Sequence, residues 1–416
     1  MKKLKRITVL IIIAINIFSL CAYADAPAVL SAAAFAEDYY SGEVLYAKDA
    51  DTARVPASMT KLMTVYCVYD ALANGEIGLY TPVNISANVY SKFSGSDYQC
   101  VLLDKTGPFT VDELLDSVMV YSACDSAYAL AELIGGGSEA AFVKRMNAKA
   151  QSLGLNAWYN DSCGLVDSLI SPRSMADLAR CIIRDYPQVL TRSSKRFIYF
   201  HGRIYYSSNK LLGSYYYEGA DGLKTGTKST AGYCFCATAL RCGRRIITVV
   251  MNAPSTLQRF ADSVNLLNYG FESMSAKYDR MYYSDMHTYI DGAEIPTYRY
   301  SGTQSQAYIT AQDLANYGFD VEYDGVNNIL YVRKNPSKAV SPLNAAEYSS
   351  KNGQCAYWIN HNSSIRVIVS DKDKSYEMKA VYDVGYTCIS ATELSSIFAY
   401  RWDAQQSASY IDTNND

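Results

Sequence analysis

The sequence predicts an α/β (α+β) protein with two units, a large N-terminal domain and a smaller C-terminal module. The chain has 416 residues, of which 49% are hydrophobic, which is enough for one large core and a second small one. Strand-like segments stand near both ends of residues 26–275, and several helical segments lie between them. After about residue 275, tyrosine and threonine become more frequent and long helical patterns become rare.

The first 24 residues have the pattern of a signal peptide. Four basic residues precede an apolar run from Ile7 to Leu20, and Ala22-Tyr23-Ala24 matches a small-x-small cleavage site. The run is short for a membrane span, and an uncleaved N-terminal anchor is the alternative. We therefore expect an exported protein of the cell envelope or the extracellular space. Cleavage lowers the number of basic residues from 38 to 34 against 41 acidic ones, which argues against a nucleic-acid partner.

Ten of the eleven cysteines remain after this cleavage, and their spacing shows no paired CxxC pattern for zinc. Cys234 and Cys236 fall on a predicted strand, where both side chains face the same side. His287 and His361 are too few and too scattered for a metal site. We predict mostly free, buried thiols and no metal or cofactor, and disulfides remain the alternative for the thiols.

Periodicity and capping residues predict the elements of the N-terminal domain. Thr110-Val111-Asp112-Glu113 is a capping box that opens a helix, Ser138 caps another, and Ser174 opens a third. Helices are predicted at residues 58–72, 110–118, 125–133, 138–154, 174–183 and 257–269. Strands are predicted at residues 43–47, 232–239 and 245–251.

Ser58-Met59-Thr60-Lys61 is the first motif that indicates chemistry. An apolar helix follows it, so Ser58 is expected at the N-terminus of a buried helix, where backbone donors can stabilise an oxyanion. Residues i and i+3 share a helix face, which brings the Lys61 amine close to the Ser58 hydroxyl. Lys61 can act as the base for this serine if burial or another cation lowers its pKa. The alternative interpretation is an ordinary capped helix.

Two further motifs follow along the chain. Lys224-Thr225-Gly226 stands at the head of a predicted strand, where a cation, a hydroxyl and a bare backbone suit an anionic substrate terminus. Ser122-Ala123-Cys124 joins two predicted helices, and Ser122 can pass a proton between Lys61 and a leaving amine. The alternatives are a strand-edge turn with a solvated lysine and a plain interhelical cap.

The three motifs in this order resemble the D-alanyl-D-alanine carboxypeptidase family of low-mass penicillin-binding proteins, which are serine peptidases. The resemblance covers about residues 26–275, and it is carried by residues 44–48, 56–64, 209–212, 221–226 and 231–234. It implies a β-lactamase/transpeptidase-like fold for residues 25–275, in which helices flank an antiparallel sheet. The site then lies between the edge of the sheet and the helical part.

The resemblance also implies a reaction on peptidoglycan stem peptides that end in D-alanyl-D-alanine. Ser58 is acylated by the carbonyl of the penultimate D-alanine, the last D-alanine leaves, and water frees the acyl-enzyme. Lys61 is the base, and the backbone N–H groups of Ser58 and Thr227 form the oxyanion hole. β-Lactam antibiotics are implied as inhibitors, and peptidoglycan biosynthesis and cell shape as the biological setting.

Substrate binding is implied for a second group of residues. Lys224 and Thr225 face the substrate carboxylate, Gly226 lies beside them on the strand, and Arg259 helps to hold the same carboxylate. The family pattern at the third motif is Ser-x-Asn, and this chain has Cys124 where the asparagine is expected. A thiol is a weak donor and a weak acceptor, so losing the amide costs on the order of 10² to 10³ in rate.

The substitution at Cys124 leaves two interpretations open. Asn160 stands in a segment where the family has Asn-Pro-x-Gly-Leu, and an asparagine from elsewhere is one replacement for the missing amide. The other is a catalytically weak or silent wall-binding scaffold that keeps the fold. A β-lactamase is disfavoured because residues 159–174 contain no deacylating glutamate, and a Ser-His-Asp hydrolase because the chain has three histidines and no G-x-S-x-G.

The C-terminal module, residues 285–416, contains a weak internal repeat. Residues 309–315 match residues 389–395, Tyr323-Asp324 matches Trp402-Asp403, and Tyr331-Val332 matches Tyr410-Ile411. Each copy is predicted as a strand, a short helix and a hairpin, and residues 335–353 are predicted as the linker. The repeat resembles the copper amine oxidase N-terminal-like domain, which implies a small α+β accessory module for envelope contact and no copper. The 38 tyrosines are either a glycan platform or strand-forming residues.

Overall fold

The structure is a computed structural model that describes residues 26–101, 107–300, 303–360, 365–383 and 386–414. The predicted signal peptide, residues 1–24, lies outside the described residues, as does His361. Within these ranges no helix combines the length and the apolar character that a membrane span requires.

The described part of the N-terminal domain contains eleven strands and eight α-helices. The strands are β1 (Ala33–Asp38), β2 (Val44–Lys48), β3 (Pro82–Val83), β4 (Phe109–Thr110), β5 (Ala157–Trp158), β6 (Leu169–Ile170), β7 (Phe197–Phe200), β8 (Arg203–Tyr206), β9 (Ala220–Lys228), β10 (Gly232–Arg241) and β11 (Arg244–Ala253). The α-helices are α1 (Lys61–Ala73), α2 (Ala87–Phe93), α3 (Val111–Val120), α4 (Cys124–Ile134), α5 (Glu139–Ser152), α6 (Pro172–Asp185), α7 (Gln188–Ser193) and α8 (Thr256–Lys277). Two 3₁₀ helices occupy Ala57–Thr60 and Lys210–Leu212.

A five-stranded antiparallel sheet in the order β2-β1-β11-β10-β9 organises the domain. The long helix α8 packs on one face of the sheet, where Phe235, Phe260 and Leu266 belong to one apolar cluster. Helices α1, α3, α4 and α6 lie on the other side, in a larger cluster that includes Val249 and Met251. The β9 strand therefore forms one edge of the sheet beside the helical part, as the predicted fold class requires.

The structure confirms several predicted elements and corrects others. The capping box is present, since the Thr110 side chain accepts from the Glu113 N–H and Glu113 accepts from the Thr110 N–H. Ser138 caps α5. The prediction that Ser174 opens α6 is wrong, because Ser171 caps this helix and Pro172 takes its first position. The motif around Thr225 lies in the middle of β9 rather than at its head, and α8 runs eight residues beyond the predicted end at residue 269.

A buried ion pair connects the first strand of the sheet to the β10–β11 hairpin. Arg244 Nε donates to Asp38 Oδ2 at 2.7 Å, and both side chains are almost fully buried. A second guanidinium nitrogen of Arg244 donates to the Tyr278 hydroxyl at 3.1 Å. A charge that is buried without its partner costs several kcal/mol, so this pair makes the end of the sheet sensitive to substitution.

Asp38→Ala is expected to lower the free energy of unfolding by about 3–5 kcal/mol, because it leaves the Arg244 guanidinium buried without its carboxylate. Urea denaturation followed by circular dichroism measures the change. Asp51→Ala is the matched control, since Asp51 pairs with Arg173 at the surface and its loss is expected to change the midpoint little. Equal effects of the two substitutions would contradict the argument.

Residues 278–414, which comprise the C-terminal module and the strand that precedes residue 285, contain fourteen described strands and one short α-helix. The strands are β12 (Tyr278–Tyr283), β13 (His287–Ile290), β14 (Ala293–Ile295), β15 (Tyr298–Tyr300), β16 (Thr303–Thr310), β17 (Phe319–Asp324), β18 (Ile329–Lys334), β19 (Cys355–Asn360), β20 (Arg366–Asp371), β21 (Lys374–Met378), β22 (Ala380–Asp383), β23 (Tyr386–Ser390), β24 (Ala399–Asp403) and β25 (Ala408–Asp412). Helix α9 (Ala345–Ser349) lies inside the predicted linker, and 3₁₀ helices occupy Ala311–Asn316 and Ala391–Ser396.

The internal repeat extends further than the sequence indicates. The first copy runs from β12 to β18 and the second from β19 to β25, and the predicted linker separates them. The copies form one closed barrel in the order β12-β15-β16-β23-β22-β19, in which Ile309 pairs with its sequence counterpart Ile389. In each copy a strand, a 3₁₀ helix and a hairpin follow one another, as predicted.

The two copies also exchange hairpins. The β17–β18 hairpin of the first copy joins the β20–β21 hairpin of the second, through a parallel pairing of β18 with β20. The β24–β25 hairpin of the second copy joins the β13–β14 hairpin of the first, through a parallel pairing of β13 with β25. Each four-stranded sheet therefore needs strands from both copies, and the module is a single folding unit.

Candidate active site

Ser58 lies in the 3₁₀ helix that leads directly into α1. The side chain of Ser58 is half-buried, whereas Met59, Thr60 and Lys61 are buried. Lys61 Nζ donates to Ser58 Oγ at 3.0 Å, which is the contact that the i and i+3 spacing predicts. The partly exposed Ser58 hydroxyl thus accepts a hydrogen bond from a buried amine, and we call the solvent-exposed side of this site the cleft.

The loop at residues 161–166 packs directly against the turn that carries Ser58. A Cβ atom at Gly164 would lie 2.0 Å from the Ala57 carbonyl oxygen, and the positive φ of Gly164 is also one that favours glycine. The buried Asp161 carboxylate accepts from the N–H groups of Gly164, Leu165 and Val166 and so holds the loop closed. This arrangement places the Cys163 carbonyl 2.8 Å from Lys61 Nζ. The sequence analysis did not identify Cys163, although Gly164-Leu165 belongs to a family-like segment.

Cys124 begins α4 and occupies the place of the family asparagine. Lys61 Nζ lies 3.4 Å from Cys124 Sγ, so the thiol does contact the lysine. Asn160 does not replace the missing amide, because its side chain donates to the Asp167 carbonyl and accepts from Trp158 Nε1. The third polar partner of Lys61 is therefore the Cys163 carbonyl.

Ser122 contacts the lysine of the β9 motif. Lys224 Nζ donates to Ser122 Oγ at 2.7 Å, and both side chains are buried. Ser122 has a φ of 73°, in the left-handed region that costs energy for a non-glycine residue. The neighbouring Thr225 hydroxyl donates to Ser208 Oγ at 2.8 Å. Ser208 was not predicted, because no sequence pattern links it to β9.

The middle of β9 lies against the Ser58 turn with no room for a side chain. A Cβ atom at Gly226 would lie 2.3 Å from the Pro56 carbonyl oxygen. Arg259, at the start of α8, donates to the Gly226 carbonyl at 3.0 Å and to Thr227 Oγ1 at 2.8 Å. The structure thus brings Gly226, Thr227 and Arg259 together beside Ser58, and Thr227 is exposed to the cleft.

The two buried lysines differ in the direction of their pKa shifts. Burial by itself lowers the pKa of Lys61, but the electrostatic effects of Cys124 and Cys163 outweigh burial and raise the pKa above its usual value. Burial lowers the pKa of Lys224 well below its usual value, and the charge of Lys61 lowers it further. The requirement of a lowered pKa is therefore met at Lys224 and not at Lys61.

The remaining residues that the sequence singled out are Arg259, Cys234, Cys236 and His287. Burial lowers the pKa of Arg259 to about 10. Cys234 and Cys236 are buried thiols of β10, and His287 Nδ1 lies 2.5 Å from Glu294. Among the residues that the structure describes, no three His, Cys, Asp or Glu side chains form a group that could hold a metal ion.

Comparisons with known proteins found a matching family model, curated relatives and solved structures. The family model of the D-alanyl-D-alanine carboxypeptidases matches residues 21–255. The D-alanyl-D-alanine carboxypeptidase DacF of Bacillus subtilis is 32% identical over 243 residues, which cover 56% of this chain and 59% of DacF. The structure of penicillin-binding protein D2 from Listeria monocytogenes in its cefotaxime-bound form has 30% identity and a TM-score of 0.54. The match covers 60% of this chain and 100% of the Listeria protein's chain.

A third similar protein is the DD-transpeptidase of Streptomyces K15. The solved structure of its cysteine-to-asparagine variant is 29% identical to this chain, with a TM-score of 0.54. The match covers 59% of this chain and 100% of the Streptomyces chain. One further solved variant replaces this cysteine by alanine, and another replaces by alanine a serine that stands two residues before the cysteine. Ser122 and Cys124 have the same spacing in this chain.

The family match lies within the N-terminal part of the chain. The chain spans about six tenths of the length of the first curated relatives that it matches. The family model, however, matches more than half of the chain, and the neighbouring structures have the same antiparallel sheet flanked by helices. This chain belongs to the D-alanyl-D-alanine carboxypeptidase family, the serine peptidases among the low-mass penicillin-binding proteins.

Proposed function

We propose that the chain is a serine-type D-alanyl-D-alanine carboxypeptidase that removes the terminal D-alanine from peptidoglycan stem peptides. The observation that carries this proposal is the contact between Lys61 Nζ and Ser58 Oγ at 3.0 Å. The contact lies beside β9, whose Lys224 and Thr225 supply a cation and a hydroxyl for a carboxylate. Nucleophile, base and anion site thus occupy one cleft, as acyl transfer requires.

The reaction follows from these contacts in two steps. Ser58 Oγ attacks the carbonyl carbon of the penultimate D-alanine while its proton passes to a lysine amine, and backbone N–H groups hold the oxyanion. The C–N bond then breaks, and the proton returns through the Ser122 hydroxyl to the leaving amine of D-alanine. Water attacks the resulting ester, which releases the shortened peptide and restores the Ser58 hydroxyl.

The opposite pKa shifts support a shared proton between the two lysines. Lys61 and Lys224 are both buried, and the charge of Lys61 lowers the pKa of Lys224. In the free enzyme the two shifts favour the proton on Lys61 over the proton on Lys224. A substrate carboxylate beside Lys224 favours its protonated form, so binding would draw the proton toward Lys224 and leave Lys61 neutral as the base.

The proposal is tested with residues 25–416 and a diacyl-Lys-D-Ala-D-Ala peptide. We expect release of D-alanine, and we expect a β-lactam to add its own mass to the protein at Ser58. A Ser58→Ala variant is the control for both measurements. If well-folded protein neither releases D-alanine nor forms the β-lactam adduct, the chain is better interpreted as the catalytically silent scaffold that Cys124 suggests.

Transfer of the acyl group to an amine is a second candidate function. Cys124 favours it, because the similar Streptomyces K15 DD-transpeptidase carries a cysteine two residues after a serine. The acyl-enzyme would then be attacked by an amine nitrogen, which forms an amide bond and frees Ser58. Adding glycylglycine to the peptide assay separates the two functions by the ratio of amide product to free acid. A ratio that stays near zero at saturating acceptor excludes transfer.

Cys124→Asn is expected to move the acidic limb of the pH profile of kcat/KM to lower pH. Cys124 raises the pKa of Lys61, so its removal lowers that pKa, and the neutral amine becomes available at a lower pH. The restored amide is also expected to raise kcat/KM at neutral pH by a factor on the order of 10 to 100. The measurement is D-alanine release between pH 5 and about 10.

Cys181→Asn is the matched control for this prediction, because Cys181 lies on α6 and is not part of the cleft. It is expected to leave the profile of the wild-type protein unchanged. A Cys124→Asn profile that shifts to higher pH would show that the thiol does not raise the pKa of Lys61.

We also propose a role in envelope contact for the C-terminal module, residues 285–416, which resembles the copper amine oxidase N-terminal-like domain. Tyr289 and Tyr410 stack at 5.1 Å on neighbouring strands, and the Arg401 guanidinium lies 4.1 Å from the ring centroid of Tyr410. These residues line a cavity of about 600 Å³, and aromatic faces of this kind suit the glycan strands of peptidoglycan. Residues 1–24 would export the protein to that compartment, where trimming of stem peptides affects cell shape.

Sedimentation of the chain with purified peptidoglycan tests this role of the module. Tyr289→Ala combined with Tyr410→Ala is expected to lower the bound fraction about tenfold. Tyr323→Ala is the control, because Tyr323 is exposed on β17 in the other four-stranded sheet. Equal binding by all three proteins would reject the glycan platform and favour strand-forming tyrosines.

A further inference from the structure

The C-terminal module contacts the N-terminal domain at the tip of the β10–β11 hairpin. Trp358 of β19 is buried in the apolar cluster beneath α8, and its indole nitrogen donates to the Arg241 carbonyl at 3.1 Å. A Cβ atom at Gly243 would lie 3.2 Å from the Ala356 carbonyl oxygen. The backbone on both sides of Cys242 therefore lies against the first residues of β19.

This contact brings together two thiols that are about 110 residues apart in the chain. Cys242, at the hairpin tip, and Cys355, the first residue of β19, are both half-buried, and both line a cavity of about 610 Å³. The two thiols interact directly, since the hydrogen bond from Cys355 is the largest cause that lowers the pKa of Cys242. Arg280 contributes to the same lowering, and Glu218 opposes it. The same hydrogen bond raises the pKa of Cys355.

We propose that Cys242 and Cys355 form a disulfide bond that joins the C-terminal module covalently to the sheet of the active site. The two residues belong to elements whose contact is already held by Trp358 and Gly243, so the bond would form within an existing interface. Both residues also line the same cavity, through which a small disulfide reagent would have to reach them.

The reaction needs a low-molecular-weight disulfide, such as oxidised glutathione, as its oxidant. The Cys242 thiolate attacks one sulfur of the reagent, the S–S bond breaks, and one thiol leaves. Cys355 then loses its proton and attacks the Cys242 sulfur of the mixed disulfide, which expels the second thiol. Two protein thiols are oxidised, and the reagent disulfide is reduced to two thiols.

Most of the other described cysteines have less access to solvent than this pair. Seven of the ten described thiols are buried. Burial raises the pKa of Cys67 to about 12 and the pKa of Cys234 to about 11, which leaves both as unreactive thiols near neutral pH. Cys181 is the remaining half-buried thiol, and it lies on α6 within the N-terminal domain.

The experiment uses residues 25–416, first reduced and then incubated with oxidised glutathione. We expect the number of free thiols in the denatured protein to fall by two. Digestion with trypsin is expected to yield residues 242–244 joined to residues 352–366, a product that dithiothreitol separates. The thermal midpoint is expected to rise by about 5 °C, because the bond closes a long loop in the unfolded chain.

Two variants make the result specific. Cys242→Ser is expected to lose the joined peptide and the rise in midpoint, and Cys181→Ser is expected to keep both. Glutathione that stays attached to Cys242, or a joined peptide from any other pair, would overturn the proposal. Unchanged circular dichroism of the reduced variants shows that a missing bond is not a folding defect.

Discussion

Ser58→Ala is expected to lower D-alanine release by a factor on the order of 10⁴ or more, because no other hydroxyl can take over the covalent step. The side chain faces the cleft, so the loss of its oxygen removes the nucleophile and little packing. Lys61 keeps its contacts with Cys124 Sγ and the Cys163 carbonyl, which hold the amine in place. D-Alanine release and the intact mass after incubation with a β-lactam measure the effect.

The control is Ser152→Ala, since Ser152 is exposed at the end of α5 and bonds only to a backbone carbonyl of its own helix. This variant is expected to retain full release and the full adduct. A Ser58→Ala protein that still forms the adduct would assign the nucleophile to another serine. A Ser58→Ala protein that still releases D-alanine would point to a route without an acyl-enzyme.

Lys61→Met is expected to lower release by a factor on the order of 10³ to 10⁴, because methionine fills the buried site but accepts no proton. The lysine amine donates to Ser58 Oγ and to the Cys163 carbonyl, so its loss also frees the loop at residues 161–166 on one side. Stopped-flow acylation by a chromogenic β-lactam separates the effect on Ser58 from any effect on deacylation.

Lys195→Met is the matched control for this second variant. Lys195 is half-buried just after α7 and pairs with Asp116 of α3. It is expected to retain acylation within about threefold of the wild-type rate. Acylation of Lys61→Met at the wild-type rate would instead assign the base to Lys224, whose pKa burial lowers.

Local patterns predicted the contact between Ser58 and Lys61, because the helical repeat alone determines their spacing. Ser58 and Lys61 stand three residues apart, and the apolar residues that follow indicate a buried helix. The error at α6 has a similarly local cause. Ser171-Pro172 is a stronger start signal than Ser174, because proline suits the first helical position and a serine before it can cap.

The electrostatics of the cleft depend on contacts between residues that are far apart in sequence. The Cys163 carbonyl reaches Lys61 only because Asp161 closes the loop and Gly164 lies against Ala57. Ser208 meets Thr225 in the same way. The pKa shifts of the two lysines come from burial and from charges that the fold brings close, those of Cys124 and Cys163 at Lys61 and that of Lys61 at Lys224. No motif could therefore assign the raised pKa to Lys61. The roles of Ser122, Thr227 and Arg259 remain predictions.

The repeat in the C-terminal module was predicted from eleven matched positions in three segments, but its strand pairing was not predicted. Sequence similarity shows that two segments have the same elements, and it does not show which strands they pair with. The parallel pairs β18 with β20 and β13 with β25 join strands of different copies, and this choice depends on the packing of the whole module.

The exchange of hairpins bears on how such a module arises. A copy on its own would keep one hairpin of each four-stranded sheet and would leave the complementary edges open. Two identical copies would close these edges around a twofold axis, as the subunits of a swapped homodimer do. The module therefore has the architecture of a tandem gene duplication, in which the segment at residues 335–353 joins two former subunits into one chain.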